Sequence, residues 1–263
     1  MKVVMLAAGV GRRLYGDENN HLPKAILRFG GKTLIARHME CLFDNGINEL
    51  VLVIGHRKED LMAEVDAILE GLGAPKDFVR TIFNPRYKES SLLSLYSADE
   101  VLRSGDDVMF MDADVLYHPD VLARLIHSRH PNCFTLDYEF EDGDEPVKLC
   151  LRDGDLIDFG KLVTDDYHTI GEWPGFMRMS PGIAVKVADA VQARIDKDDL
   201  TAPYEDAMRD VLKSEPVGTF NFENVTGIPW TEIDFLADVT FAEEVIMPRI
   251  LESLGEKPLA DLQ

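Results

Sequence analysis

At 263 residues, with 46% hydrophobic and 29% charged residues, the chain has the composition of a globular protein. It is long enough for one large domain, or for a core with a small lobe. Its 48 acidic and 27 basic residues leave a net charge of −21, which repels phosphate at long range and excludes non-specific nucleic-acid binding and docking on anionic membranes.

Cys41, Cys133 and Cys150 show no CxxC spacing and cannot all be paired, which suits a reducing compartment and gives a cytoplasmic expectation. No apolar run reaches the roughly 18 residues of a membrane helix, so membrane insertion is not expected.

The first element is a buried strand over residues 2–6. It runs into a loop containing Gly9, Val10, Gly11, Arg12 and Arg13, and Pro23 and Lys24 follow. Apolar positions at Leu34, Ile35, His38, Met39 and Leu42 predict a helix stopped at Gly46. A second strand is expected over residues 50–54 and a second helix over 59–69. A third helix starts at about residue 91 and ends near Gly105. Strands over 108–111 and 132–136 follow. Strands alternating with helices predict a Rossmann-like, three-layer α/β/α fold around a mostly parallel sheet.

Beyond residue 134 the rhythm changes. The stretch VKLCLRDGDLIDFGKL reads as a hairpin around Asp153-Gly154, part of a small acceptor-binding region. Helices are expected over 180–195 and 204–214, a strand over 217–222 and a last helix over 239–254. The acidic run EFEDGDEP reads as a solvated turn whose spacing fits no calcium loop. No Pro/Gly/Ser-rich linker divides the chain. The expected organisation is therefore one unit over 1–263, with a nucleotide-binding half over 1–133 and an acceptor-binding half over 134–263 that completes the sheet.

Ligands of parallel sheets sit at the carboxyl ends of strands, where Gly9 and Gly11 lie. Glycines let backbone N–H groups approach an anion. The dinucleotide fingerprint is excluded because its third glycine is Leu14, and no Gly-Lys-Ser/Thr ends a Walker loop. At the end of the 108–111 strand, Asp112 and Asp114 share one face of DAD, and hard carboxylate oxygens there suit Mg²⁺. Capping of a turn is the alternative use of such a pair.

Leu6, Ala7, Ala8, Gly9, Gly11, Arg13 and Leu14, followed by Pro23 and Lys24, form LAAGxGxRL…PK. This resembles the signature of the nucleotidyltransferase superfamily that makes nucleotide sugars and CDP-alcohols. The resemblance implies a GT-A-like nucleotidyltransferase fold, with the glycine loop around a nucleoside triphosphate and Arg13 and Lys24 on its phosphates. It also makes Asp114 one metal ligand, with Asp112 assisting from behind. WTEIDFLAD resembles the family's late (E)-I-D-x-x-x-D segment, which makes Asp234 the second ligand, Glu232 its neighbour and Asp238 a helix N-cap. Mg²⁺ is the implied cofactor, with Mn²⁺ as a substitute.

The pattern Asn-x-x-Tyr-x-x-Ser-Leu-x-Ser-Leu, from Asn84 onwards, resembles the phosphocholine and inositol-phosphate cytidylyltransferase branch. By that resemblance Asn84, Ser90, Ser91 and Ser94 lie near the pyrimidine and ribose, although Ser90 or Ser91 could equally cap a helix. Lys161 matches a lysine that contacts the acceptor phosphate and the α-phosphate. Glu172 falls in a segment lining the acceptor pocket, with Trp173, Tyr204 and Trp230 as candidate aromatic neighbours; such rings can surround a quaternary ammonium, though aromatics are more often core. The expected reaction is CMP transfer from CTP to a small phosphorylated or phosphonylated alcohol with release of pyrophosphate. Partners other than these small molecules are not expected, beyond a homodimer that the sequence leaves open. A sugar-1-phosphate nucleotidyltransferase using UTP, dTTP or GTP is the nearest alternative. A glycosyltransferase of related fold and a non-catalytic nucleotide sensor are more distant ones.

Overall fold

The computed structural model describes residues 1–16, 20–140 and 143–255. A seven-stranded sheet forms its centre. It runs from Asn221–Asn224 through Cys133–Leu136, Phe176–Met179, Val108–Asp112, Lys2–Ala7 and Leu50–Ile54 to Val79–Phe83. All pairings are parallel except those of Phe176–Met179, which is antiparallel to both neighbours.

Alternation along the inner strands explains the three layers. Val4, Val51 and Phe110 point into one apolar cluster, with the helices Ser91–Ser97, Pro181–Asp196 and Tyr204–Ser214. Val3, Met5, Leu52 and Met109 point into another, with Leu34–Asp44, Lys58–Leu72 and Pro119–Ile126. Strands buried on both faces read as continuous apolar runs because each face carries its own helices. Thr33 caps the Leu34–Asp44 helix by accepting from the Ala36 N–H at 3.2 Å.

The 50–54 strand matches its expected bounds, and the 2–6 and 108–111 strands each extend one residue further. The second helix is longer than expected, Lys58–Leu72, and ends at Gly73 with φ 61°. The third splits at Ala98 into Ser91–Ser97 and Asp99–Leu102. The hairpin is present as Lys148–Arg152 and Asp155–Gly160, with Asp153 at φ 55° and Gly154 at φ 92°, the positive pair a tight two-residue turn needs. Thr169–Glu172 adds a third strand to it.

The strand expected over 217–222 instead occupies Asn221–Asn224, because residues 216–219 close a turn through Thr219 N–H to Pro216 O. The last helix begins at Leu236, and Asp238 is not its N-cap: its carboxylate lies one turn in and accepts from the N–H groups of Asp234 and Phe235 at 2.8 and 2.7 Å. The helix is broken by a π-turn over Ala242–Ile246 ahead of Pro248, whose ring cannot follow a regular turn. Of the acidic run read as a turn, residues 141 and 142 lie outside the described residues.

Candidate active site

The site lies at the carboxyl ends of the Lys2–Ala7 and Val108–Asp112 strands. After the first strand the backbone turns at Gly11 (φ 70°), whose carbonyl accepts from Leu14 and Tyr15. A side chain at Gly11 would face both backbone strain and the Tyr15 ring. At Gly9 an added Cβ would meet nothing within 4 Å, so open space rather than the chain adjoins that residue.

A short ribbon brings distant parts of the sequence together. Trp230–Glu232 pairs antiparallel with Val115–Tyr117, and Ile233 N–H donates to Asp114 O at 2.9 Å. Asp234 therefore arrives beside Asp114. Lys24 bridges them, its Nζ donating to Asp114 Oδ2 at 2.8 Å and Asp234 Oδ1 at 2.7 Å. Burial alone would lower the Lys24 pKa, but the two carboxylates outweigh it and raise it above the usual lysine range. Arg13 joins the cluster at 2.8 Å from Asp234 Oδ1.

One carboxylate oxygen of each of Asp114, Glu232 and Asp234 lies within 4.8 Å of the others. Three hard oxygen donors at this spacing fit a divalent cation such as Mg²⁺, which takes carboxylates together with waters and substrate phosphates. Glu232, expected as a neighbour of Asp234 on the same face, supplies the third oxygen, since alternate residues of an extended ribbon share a face.

A cleft of about 350 Å³ opens over the glycine loop. Leu6, Ala7, Ala8, Gly9, Gly11, Arg13, Lys24, Ser90, Ser91, Ser94, Asp112 and Asp114 all line it, as do Lys88 and Glu205, which the sequence reading did not single out. Asn84 does not line it. Buried beneath, it donates to Ser94 Oγ at 3.1 Å and accepts from Arg86 N–H at 2.8 Å, holding the turn that carries the serines. Ser90 caps its helix through the Leu93 N–H at 3.4 Å, and Ser91 Oγ accepts from Tyr204 N–H at 3.2 Å.

Tyr204 lines this cleft rather than the acceptor side, and its hydroxyl donates to Asp112 Oδ2. Burial, and then the Asp114 charge, push the Asp112 carboxyl well above its ordinary range. The backbone crosses close behind, with Gly175 at φ 89° where a Cβ would stand 3.0 Å from Asp112 Oδ2.

A second hollow of about 760 Å³ adjoins the first across Glu232 and is lined by Glu172 and Trp230, with Asp137, Glu145, Asp234 and Phe235. Trp230 donates its indole N–H to Asp137 Oδ2 at 2.7 Å. Burial, reinforced by Asp137, raises the Glu172 pKa to about 7. Trp173 does not belong here. It is 4% exposed, packed in the apolar core and bonded to Phe176 O at 2.8 Å, because the bend after Glu172 turns it inward against Phe159 and Phe110. Lys161 Nζ and Arg13 both donate to Glu145 Oε2, at 2.9 and 2.7 Å, so Glu145 ties the hairpin to the glycine loop. The Lys161 hydrogen bond and the charges of Lys161 and Arg13 hold the Glu145 carboxyl below its usual range.

No helix among the described residues is long and apolar enough to cross a membrane. The three cysteines are buried and unbridged.

Comparison with known proteins bears on the family and the fold. Over 247 residues the chain is 26% identical to the bifunctional IPC transferase and DIPP synthase of Rubrobacter xylanophilus, covering 92% of this chain and 51% of that protein. Over 115 residues it is 35% identical to the choline-phosphate cytidylyltransferase of Streptococcus pneumoniae, covering 43% of this chain and 44% of the relative. The chain thus spans about half the length of these curated relatives. The solved structure of the CTP:phosphocholine cytidylyltransferase from Streptococcus pneumoniae superposes with a TM-score of 0.71 at 22% identity, over 93% of this chain and 98% of that one, a likeness of fold. The model of the MobA-like NTP transferase domain matches residues 3–165, the stretch holding the glycine loop, Lys24, Asp114 and Lys161, and the chain belongs to that family, within the nucleotidyltransferase superfamily.

Proposed function

We propose that this protein is a cytidylyltransferase that moves CMP from CTP to a small phosphorylated or phosphonylated alcohol and releases pyrophosphate. The observation that carries the reading is Lys24 bridging Asp114 and Asp234 at the mouth of the glycine loop, with Arg13 beside them. An acceptor phosphate or phosphonate oxygen attacks the α-phosphorus as the bond to the β-phosphate oxygen breaks, and the electron pair leaves with pyrophosphate. Negative charge grows on the non-bridging oxygens and the leaving group, and fixed cations and backbone N–H groups stabilise it with no covalent work by the protein.

In this reading the amides from Ala7 to Gly11 cradle the triphosphate, while Arg13 and Lys24 face its phosphates. Lys161 exchanges Glu145 for the acceptor's phosphate. Asp114, Asp234 and Glu232 would hold Mg²⁺, or Mn²⁺ in its place; when bound, that ion supplies positive charge to the triphosphate. Ser90, Ser91 and Ser94 form the wall facing the base and sugar. The acceptor's head group enters the second hollow, where Glu172, Asp137 and the Trp230 and Phe235 rings favour a cationic group such as an amine or quaternary ammonium. The similarity to a choline-phosphate cytidylyltransferase supports both the nucleotide and the acceptor class.

Pyrophosphate release measured with CTP, UTP, dTTP and GTP, against a panel of phospho- and phosphono-alcohols and sugar 1-phosphates, tests this directly. CTP with a cationic phospho-alcohol is the expected pair, and excess EDTA stops turnover. Release only with UTP, dTTP or GTP and a sugar 1-phosphate overturns the reading in favour of sugar activation. Lys24→Ala and Asp114→Ala each lower turnover by at least about 10²-fold while thermal unfolding stays cooperative. Wild-type turnover in either overturns the site assignment.

A further inference from the structure

Glu205 stands in the first turn of the Tyr204–Ser214 helix and lines the nucleotide cleft. Its Oε2 is buried and has no hydrogen-bond partner among the described residues. A buried carboxylate oxygen left unpaired costs stability, and here the residue that bears the cost lines a cleft.

The chemistry of the missing partner is constrained. An ionised carboxylate only accepts hydrogen bonds, so the partner must be a donor. The triphosphate of a nucleotide carries acceptor oxygens and is repelled by the Glu205 charge. The remaining donors are the ribose hydroxyls and, for cytosine, the exocyclic amine. Position separates these. On one side, the adjacent Tyr204 N–H is tied to Ser91, on the serine wall. On the other, Lys161 and Arg13 are near enough to act on the Glu205 charge. The group between the base wall and the phosphate cations is the sugar.

We infer that Glu205 is a specificity-determining residue that accepts a hydrogen bond from a ribose hydroxyl and so makes the enzyme prefer ribonucleotides to deoxyribonucleotides. The inference rests on the proposed nucleotide site but not on cytosine. Asp112 differs in that its Oδ2 already accepts from the Tyr204 hydroxyl.

The test is calorimetric binding of CTP, 2′-deoxy-CTP and 3′-deoxy-CTP to the whole protein with Mg²⁺, repeated with UTP and 2′-deoxy-UTP. The wild type binds CTP about tenfold or more tightly than at least one deoxy analogue. Glu205→Ala loses that margin by weakening CTP, leaving that analogue's affinity and the KM for the acceptor unchanged. Without ligand, Glu205→Gln melts no lower than the wild type, since Oε2 holds nothing in place. Equal binding of all three cytidine nucleotides by the wild type, or a margin kept intact in Glu205→Ala, overturns the inference. So does a loss confined to the acceptor KM, which would make the donor part of the acceptor. Tighter binding of UTP than CTP, with the ribo-deoxy margin still dependent on Glu205, overturns the cytidine assignment and supports the inference.

Discussion

Lys24 neutralises two aspartates that would otherwise repel each other across a few ångströms, so under the proposed function one lysine serves both the structure and the phosphates. Glu172 shows the opposite case, a carboxylate with a like charge nearby and a pKa of about 7. Because its folded pKa lies above its unfolded one, the folded protein binds the extra proton between about pH 4.5 and 7, and stability falls as pH rises through that window. Glu172→Gln should therefore gain on the wild type in melting temperature as the buffer moves from pH 5 to pH 8. The relative gain is at most about 3 kcal/mol, and a constant difference at both pH values would show that Glu172 ionises normally. Gly11, Arg13, Lys24, Asp114 and Asp234 were legible as one group because their motifs resemble those of a known superfamily, and the structure brings them together. Trp173 was not, since hydropathy does not distinguish a ring facing a pocket from one facing the core. Glu145 and Glu205 were missed for a related reason: their roles depend on a cation and on a cavity wall contributed by residues far away in the chain.

The 50–54 strand could be read to the residue, and the 2–6 and 108–111 strands to within one, since they are apolar throughout. Val79–Phe83 escaped notice because it is an edge strand, half-buried and interrupted by Arg80. Phe176–Met179 escaped too, as its antiparallel pairing follows a turn at Gly175 instead of a crossover helix. One tight junction is Gly171, where the small sheet crosses the end of the Cys133–Leu136 strand. A Cβ there would stand 2.7 Å from Asp137 O and 2.9 Å from Leu136 Cδ2. Gly171→Ala should cost about 1–3 kcal/mol in denaturant unfolding. An unchanged midpoint would mean that the two sheets can part at no cost.

Across the whole molecule the net charge of −21 opposes compaction, and the folded chain meets that repulsion with surface ion pairs and with a group of cations at the cleft. Added salt shortens the screening length from roughly 30 Å at 0.01 M to about 8 Å at 0.15 M. Raising NaCl over that range should lift the melting temperature, as followed by circular dichroism. A fall would show that the surface pairs outweigh the overall repulsion. The balance of acids and bases was plain from composition, but which cations gather was set by the ribbon that joins residues 115–117 to 230–232. Under the proposed function the Glu145 link also decides how an anion enters. Arg13 and Lys161 arrive already matched, so entry is an exchange of partners rather than capture by bare charge. On that reading stray inorganic ions gain little at these two cations, and a molecule whose several groups displace both ties at once gains most.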